Sequence, residues 1–188
     1  LSGVLKRVAL KISKICTDLR LLSSGPRAGL NDLQLPAVQS GSSIMPGKVN
    51  PVIPEVVSQI AYQVVGHDLT VTMAAEGGQL QLNAFEPVIA HSIGLSLKHL
   101  ANGCLTLARK CIDGITVYEQ SLRREVENSI GLFTALNPRL GYAASTSGAL
   151  EALHTGRGVA ELVLERGLLS ADDLNELLSP ERLANLTD

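Results

Sequence analysis

Aromatic residues are almost missing from this chain: they make up 3% of 188 residues, and tryptophan is absent. A core of short paired strands leans on rings and β-branched side chains, so an Ala/Leu/Val/Ile-rich composition with so few rings points to packed helices. Cysteine is scarce as well. Cys16, Cys104 and Cys111 fall inside helical patterns and at no metal-ligand spacing, and His67, His91, His99 and His154 share none either. This excludes a disulfide-stapled scaffold, implies no metal, and suits small core thiols in a reducing, cytoplasmic setting. Neither sign of charge dominates, and a formal net charge of −2 invites no polyanion. No apolar run approaches the ~20 residues that cross a bilayer, so no membrane partner is expected. Repeats and low-complexity segments are lacking. The chain opens at Leu1 in mid-pattern without a signal peptide, which reads as a fragment or processed piece.

What is present centres on residues 41–51, Gly-Ser-Ser-Ile-Met-Pro-Gly-Lys-Val-Asn-Pro. Gly41 and Gly47 open backbone angles closed to other residues, while Pro46 and Pro51 exclude regular ladders. Hydroxyls, a lysine and an asparagine crowd a stretch with no helical or strand period, which suits a loop that binds a carboxylate or phosphate. A nucleotide-phosphate loop is excluded, because five residues separate Gly41 from Gly47, Val49 follows Lys48, and no strand precedes. The bland alternative is a Gly/Ser linker with an incidental lysine.

Helical periods flank this loop on both sides. Leu5, Val8, Ile12, Ile15, Leu19 and Leu22 step by threes and fours, which predicts one amphipathic helix over residues 3–23 that Ser24-Gly25-Pro26 ends. Residues 25–50 carry no period, and an irregular stretch of that length is usually functional or disordered. A second helix is expected from Pro51 or Pro54, with Val57, Ile60, Val64, His67 and Val71 as its seam. Gly77-Gly78 interrupts it. A third restarts at Glu86-Pro87, with Ile89, Ile93, Leu97, Leu100, Cys104, Leu107 and Cys111. Three such helices predict an elongated bundle with shallow crossing angles, of a kind that shares its seams with other copies.

After Asp113-Gly114 the patterned runs shorten to 119–135, 140–154, 158–166 and 171–178. Ser170 and Asp173 have capping-box spacing. The expected organisation is all-α: part of a long-helix bundle over 1–118, with the loop at 41–51, followed by a small helical domain over 119–188. Paired short helices raise the question of DNA binding. Residues 159–188 answer it with seven acidic side chains against Arg166 and Arg182, which phosphates repel.

The order Ser-Ser-x-Met-Pro-Gly-Lys-x-Asn-Pro closely resembles the signature loop of the aspartase/fumarase superfamily of lyases. Asp18–Arg27 and Asn31-Asp32 resemble the segment leading into that loop. Thr70–Asn83 and Glu86-Pro87-Val88-Ile89 resemble the aspartate ammonia-lyase branch, whereas fumarate hydratases typically have an arginine where Glu86 stands. The resemblance runs along essentially all 188 residues and corresponds to the C-terminal part of a family chain.

It implies reversible elimination of ammonia from L-aspartate to give fumarate, with no cofactor, in a homotetramer whose sites each draw on three subunits. The other site segments of the family, a Ser/Thr-rich substrate loop and a Thr-His motif, have no counterpart here. By the resemblance Ser42 is the base that takes the Cβ proton, leading to an aci-carboxylate intermediate. A serine hydroxyl does this only as an alkoxide favoured by nearby cations and N–H donors, with water excluded. Ser43 would donate to one substrate carboxylate, while Lys48 and Asn50 hold the other; Gly41, Met45 and Gly47 support the loop. Glu55 would pair with a histidine of another subunit. Plainer readings stand beside these: Lys48 as a surface lysine, Asn50 as a turn and cap residue, and Glu55 as a first-turn acid complementing the helix dipole. The alternatives for the whole are a class II fumarate hydratase and a non-catalytic structural relative.

Overall fold

The computed structural model describes residues 1–25, 28–39, 41, 44–45 and 49–184. The fold is all-α, and the chain divides into two compact units, Leu1–Tyr118 and Glu119–Asp188. The first unit is built on α1 (Ser2–Leu22), α2 (Val52–Glu76) and α3 (Glu86–Lys110). At 25 residues each, α2 and α3 are about 37 Å long.

Their directions follow from side-chain links. Ser2 Oγ and Lys6 Nζ reach Asp68 at 2.6 and 3.0 Å, while Arg20 faces Glu55, so α1 and α2 run antiparallel. His99 Nδ1 lies 2.8 Å from Gln63 Oε1 and His67 Nδ1 2.9 Å from Ser96 Oγ, so α2 and α3 do the same. Ser96 spends its one hydroxyl proton on the Ser92 carbonyl at 2.7 Å. His67 Nδ1 is therefore the donor in the pair. The Ser2 and Lys6 contacts hold the Asp68 carboxyl below its ordinary value.

The faces that meet are rich in small side chains. Ala9, Cys16 and Leu19 are buried on α1; Pro54, Val57, Ser58, Ala61, Val64 and Ala74 on α2; Ser92, Ser96, Leu100, Gly103 and Leu107 on α3. A Cβ on Gly103 would lie 3.2 Å from Ile60 Cδ1, which shows how near α3 comes to α2. This differs from the seams expected above. Val8, Ile15 and Leu97 lie 40–50% exposed, and Cys104 is exposed. Period alone does not say which of two apolar faces packs internally; the residues that permit close approach decide it.

Helix ends follow their local chemistry. Pro51 caps α2, and Glu86 and Pro87 stand in the first turn of α3. Asn83 Oδ1 accepts from the Phe85 N–H at 2.7 Å just ahead of it. A two-stranded ladder was not expected: β1 (Leu33–Gln34) pairs antiparallel with β2 (Thr116–Val117), Leu33 opposite Val117. Runs of two residues are too short to leave a period.

The second unit comprises α4 (Glu119–Asn128), α5 (Leu132–Leu140), α6 (Tyr142–Thr155), α7 (Val159–Glu165), α8 (Ala171–Leu177) and α9 (Pro180–Leu183). Leu132, Phe133, Leu136, Ala152, Val159, Leu162, Val163, Leu174 and Leu177 form its core. The run read as 119–135 is broken between α4 and α5, and Pro138 lies inside α5 rather than ending it. Gly156, at φ 70°, closes α6 in the left-handed region. Ser170 Oγ accepts from the Asp173 N–H at 3.1 Å, the cap that its spacing announced.

Gly148 is the tightest point of that core, because a Cβ there would sit 2.4 Å from Phe133 Cζ, and Phe133 is 3% exposed. Alanine ordinarily stabilises a helix by up to about 1 kcal/mol over glycine. Gly148→Ala is nevertheless expected to lower the stability of this unit by about 1–3 kcal/mol. Adding Phe133→Leu should recover part of the loss in urea unfolding. An unchanged midpoint for the single variant would contradict the packing.

Candidate active site

The loop of interest joins α1 to α2, and its entry arm is fastened at several points. Ser24 accepts twice, through its carbonyl from Asn31 N–H at 2.7 Å and through Oγ from Leu30 N–H at 3.1 Å. Asn31 takes a left-handed φ of 54°, which asparagine tolerates better than most residues. Asp32 donates its N–H to the Leu22 carbonyl at 2.9 Å and accepts from Tyr118 N–H at 3.1 Å. Its side chain is buried, with Oδ1 unpartnered among the described residues. The β1–β2 pair then ties the arm to the segment after α3, and Pro36 packs on Gly114, where a Cβ would lie 2.7 Å from its ring.

The exit arm is α2 itself. Asn50 Nδ2 donates to the Gly41 carbonyl at 2.8 Å in a partly buried contact, and the Asn50 carbonyl accepts from Val52 N–H at 2.9 Å. One asparagine thus ties Gly41, the first residue of the loop, to the residues that lead into α2. The cap and turn reading of Asn50 made no mention of the Gly41 contact; an Asn-Pro pair at a helix start is the only sequence signal for it. Glu55 stands in the first turn of α2, 4.0 Å from Arg20 Nη2, with both side chains about two-fifths exposed. At that distance and exposure the pair contributes little to stability. Ile44 and Met45 are exposed. The expected roles of Ser42, Ser43, Gly47 and Lys48 lie outside the described residues.

Beneath the two arms is an apolar floor of Cys16, Leu19, Leu35, Val57, Leu107 and Cys111, flanked by Ile12, Leu33, Ile53 and Ile115. Burial pushes the Cys16 thiol up to about 11, helped by Cys111; the Ser58 hydroxyl and Arg20 pull the other way by less. Burial raises Cys111 too. Among the described residues no group of three His, Cys, Asp or Glu side chains could hold a metal ion, and no helix is long and apolar enough to cross a membrane.

Two family models match the sequence, one described as "Lyase" over residues 1–66 and one as "Fumarase C C-terminus" over residues 132–185. The chain belongs to the aspartase/fumarase superfamily of lyases. It is 56% identical to the aspartate ammonia-lyase of Helicobacter pylori, 60% to that of Pseudomonas fluorescens and 54% to that of Escherichia coli strain K12. Each match takes in 96–97% of this chain and 38–39% of the relative. The chain therefore spans about two-fifths of the length of these relatives. Among solved structures, a fumarate lyase:delta crystallin from Brucella melitensis matches with a TM-score of 0.91 at 56% identity, covering 97% of this chain and 40% of that one. A class II fumarase from Schistosoma mansoni matches with a TM-score of 0.89 at 34% identity, over 100% of this chain and 39% of that one.

The floor makes a prediction for the superfamily scaffold. A thiol near 11 is ionised in only about one molecule in a thousand at pH 8, and the thiolate is what alkylates. Cys16 and Cys111 should resist iodoacetamide until the chain unfolds. A folded-state value raised above the ordinary 9.0 stabilises the fold below pH 9, and that contribution is lost as pH rises from 9 towards 11. Mass spectrometry of labelled peptides across that range checks both statements. Rapid labelling of Cys16 at pH 8 in folded protein would contradict the burial.

Proposed function

We propose that this chain is the C-terminal part of an aspartate ammonia-lyase, which converts L-aspartate reversibly to fumarate and ammonia without an organic cofactor. One observation carries the reading: the 54–60% identity to aspartate ammonia-lyases along nearly the whole chain, against 34% to a class II fumarase. The run Thr70–Asn83 and Glu86 support the same branch.

In this reading Ser42 takes the Cβ proton. The Cβ–H is a very weak acid, so the doubly charged aci-carboxylate left behind needs cationic and N–H donors around it. Ser43 serves one carboxylate end of the substrate, and Lys48 with Asn50 the other, which aims the Cβ–H at Ser42. Gly41, Met45 and Gly47 shape the loop. Glu55 orients a histidine of another subunit. Its carboxylate, about two-fifths exposed and with a 4.0 Å contact to Arg20 among the described residues, is open to such a partner.

Assembly belongs to the same proposal. Val4, Val8 and Ile15 on α1, Tyr62, Leu69 and Met73 on α2, and Leu97 and Leu105 on α3 are all at least 40% exposed in the single chain. Apolar faces of that extent on long helices are what a shared bundle covers. The reading takes this assembly to be a homotetramer with sites drawn from three subunits, as the family resemblance implies. The three free thiols fit the cytoplasm.

The deciding experiment supplies full-length protein with L-aspartate and, separately, L-malate, and follows fumarate by ultraviolet absorbance. Fumarate from aspartate is expected. Fumarate from malate alone would move the assignment to the hydratase, and none from either would favour a structural relative. Ser42→Ala should cut turnover by roughly 10²- to 10⁴-fold with the helical circular dichroism unchanged. Near-normal turnover in that variant would remove Ser42 from the mechanism. Sedimentation of full-length protein at micromolar concentration should give a tetramer, and a stable monomer would refute the assembly.

A further inference from the structure

We infer that the turn between α2 and α3 is a docking knob, with Leu80 at its tip, that a second copy of the full-length protein covers. The inference deepens the assembly proposed above and rests on it. The turn is a built element. Gln79 and Leu82 exchange both backbone bonds, at 2.9 and 3.0 Å, which makes a two-residue hairpin with Leu80 and Gln81 at its corners. Asn83 braces it on both sides, donating from Nδ2 to the Ala74 carbonyl at 3.0 Å and accepting on Oδ1 from the Phe85 N–H at 2.7 Å. The Phe85 ring closes on Gly77, where a Cβ would come within 2.9 Å of it.

Leu80 suits a free turn badly on two counts. Its φ is 55°, at a hairpin corner where glycine or asparagine ordinarily takes positive φ, and a leucine Cβ is strained there. Its side chain is 107% exposed, and its neighbours Leu82 and Phe85 are 75% and 48% exposed. Glycine or asparagine would relieve the backbone and remove the apolar surface at once. Burial of the leucine in the assembled protein accounts for both features together.

What covers the turn is argued from the same surface. No charged residue stands between Glu76 and Glu86, so an apolar centre meets an acidic rim. Leu80, Leu82 and Phe85 line, with Gly77, Gln79 and Ala84, a hollow of about 570 Å³. A knob and a hollow on one element are what a two-fold contact between identical surfaces requires. The exposed apolar faces of the proposed assembly also lead to it, through Leu69 and Met73 on α2 and Val88 and Leu97 on α3. A second copy fits this surface on both grounds.

The test uses full-length protein, sedimented over a range of concentrations. Leu80→Gly and Leu80→Asn should raise the dissociation constant of the assembly roughly 10- to 100-fold, the worth of one buried leucine. Leu80→Met keeps the bulk and should be affected less than either. A Leu80→Met effect as large as that of Leu80→Gly would mean that the side chain is not what is buried, and would overturn the knob. A turn free in water predicts the opposite sign, because glycine and asparagine relieve φ. Unchanged assembly of both variants, with a urea midpoint held or raised, would therefore overturn the inference while wild-type assembly still stands. A loss of stability that is the same at every protein concentration would place the cover within one chain and overturn the second copy. A wild-type monomer would refute the proposed assembly itself, and the knob with it.

Discussion

The close approach of three antiparallel helices is the constraint on which the rest of the structure depends. Ala9, Ser58, Ala61, Ser92, Ser96 and Gly103 are small enough for backbones to come near one another, and the larger side chains are displaced outward as a result. Three serines are buried in this seam, and Ser58 Oγ has no hydrogen bond among the described residues, whereas a buried hydroxyl ordinarily finds a partner. Ser96 meets this by bonding the Ser92 carbonyl within its own helix and taking the His67 N–H from the next. That link sets α2 against α3, while Ser2 and Lys6 on Asp68 set α1 against α2 and with it the distance between the end of α1 and the start of α2. That distance is what the connecting loop has to span.

Much of this could be read from the sequence. Periods of three and four marked all three long helices, and Gly-Pro, Pro and Glu-Pro marked their ends within a residue or two. These signals are local: proline geometry and glycine backbone freedom act where they stand. The internal seam was less readable. On α1 the series Leu5, Ala9, Ile12, Cys16, Leu19 and the series through Val8 and Ile15 have nearly the same spacing, and the structure packs the first. Hydrophobicity favoured valine and isoleucine over alanine and cysteine, whereas close packing favoured the reverse. Gly148 shows the same rule in the second unit, where a glycine in mid-helix is the seat of a phenylalanine ring.

The loop region divides in the same way. Its residue types suggested a ligand-binding loop beside plainer linker and cap readings, and the roles of Ser42, Ser43 and Lys48 lie outside the described residues. Its anchoring was invisible, because it is made by backbone groups and by pairings far apart in sequence. Leu33 meets Val117, and Asp32 meets Tyr118, across more than 80 residues. No local pattern announces a two-residue strand, and the role of Ser24 as a double acceptor looks in the sequence like ordinary helix-ending serine.

In the proposed reading, reactive groups sit on a loop whose base is fastened, and this answers two opposed needs. Proton abstraction from carbon demands groups held within a fraction of an ångström, which favours rigid elements. Admission of a dicarboxylate and exclusion of water demand a surface that is not itself the core, which favours a connection. Here the floor of Cys16, Leu35, Val57, Leu107 and Cys111 draws on α1, the entry arm, α2 and the end of α3, so both arms rest on one apolar cluster. The polar fastening lies above it, at Ser24, Asp32 and Gly41–Asn50. A substitution in that floor would reach the loop by tilting its arms, without touching any group in the loop itself. If the proposed reading holds, apolar residues remote from the loop bear on its chemistry through the angle at which two chain segments leave the bundle.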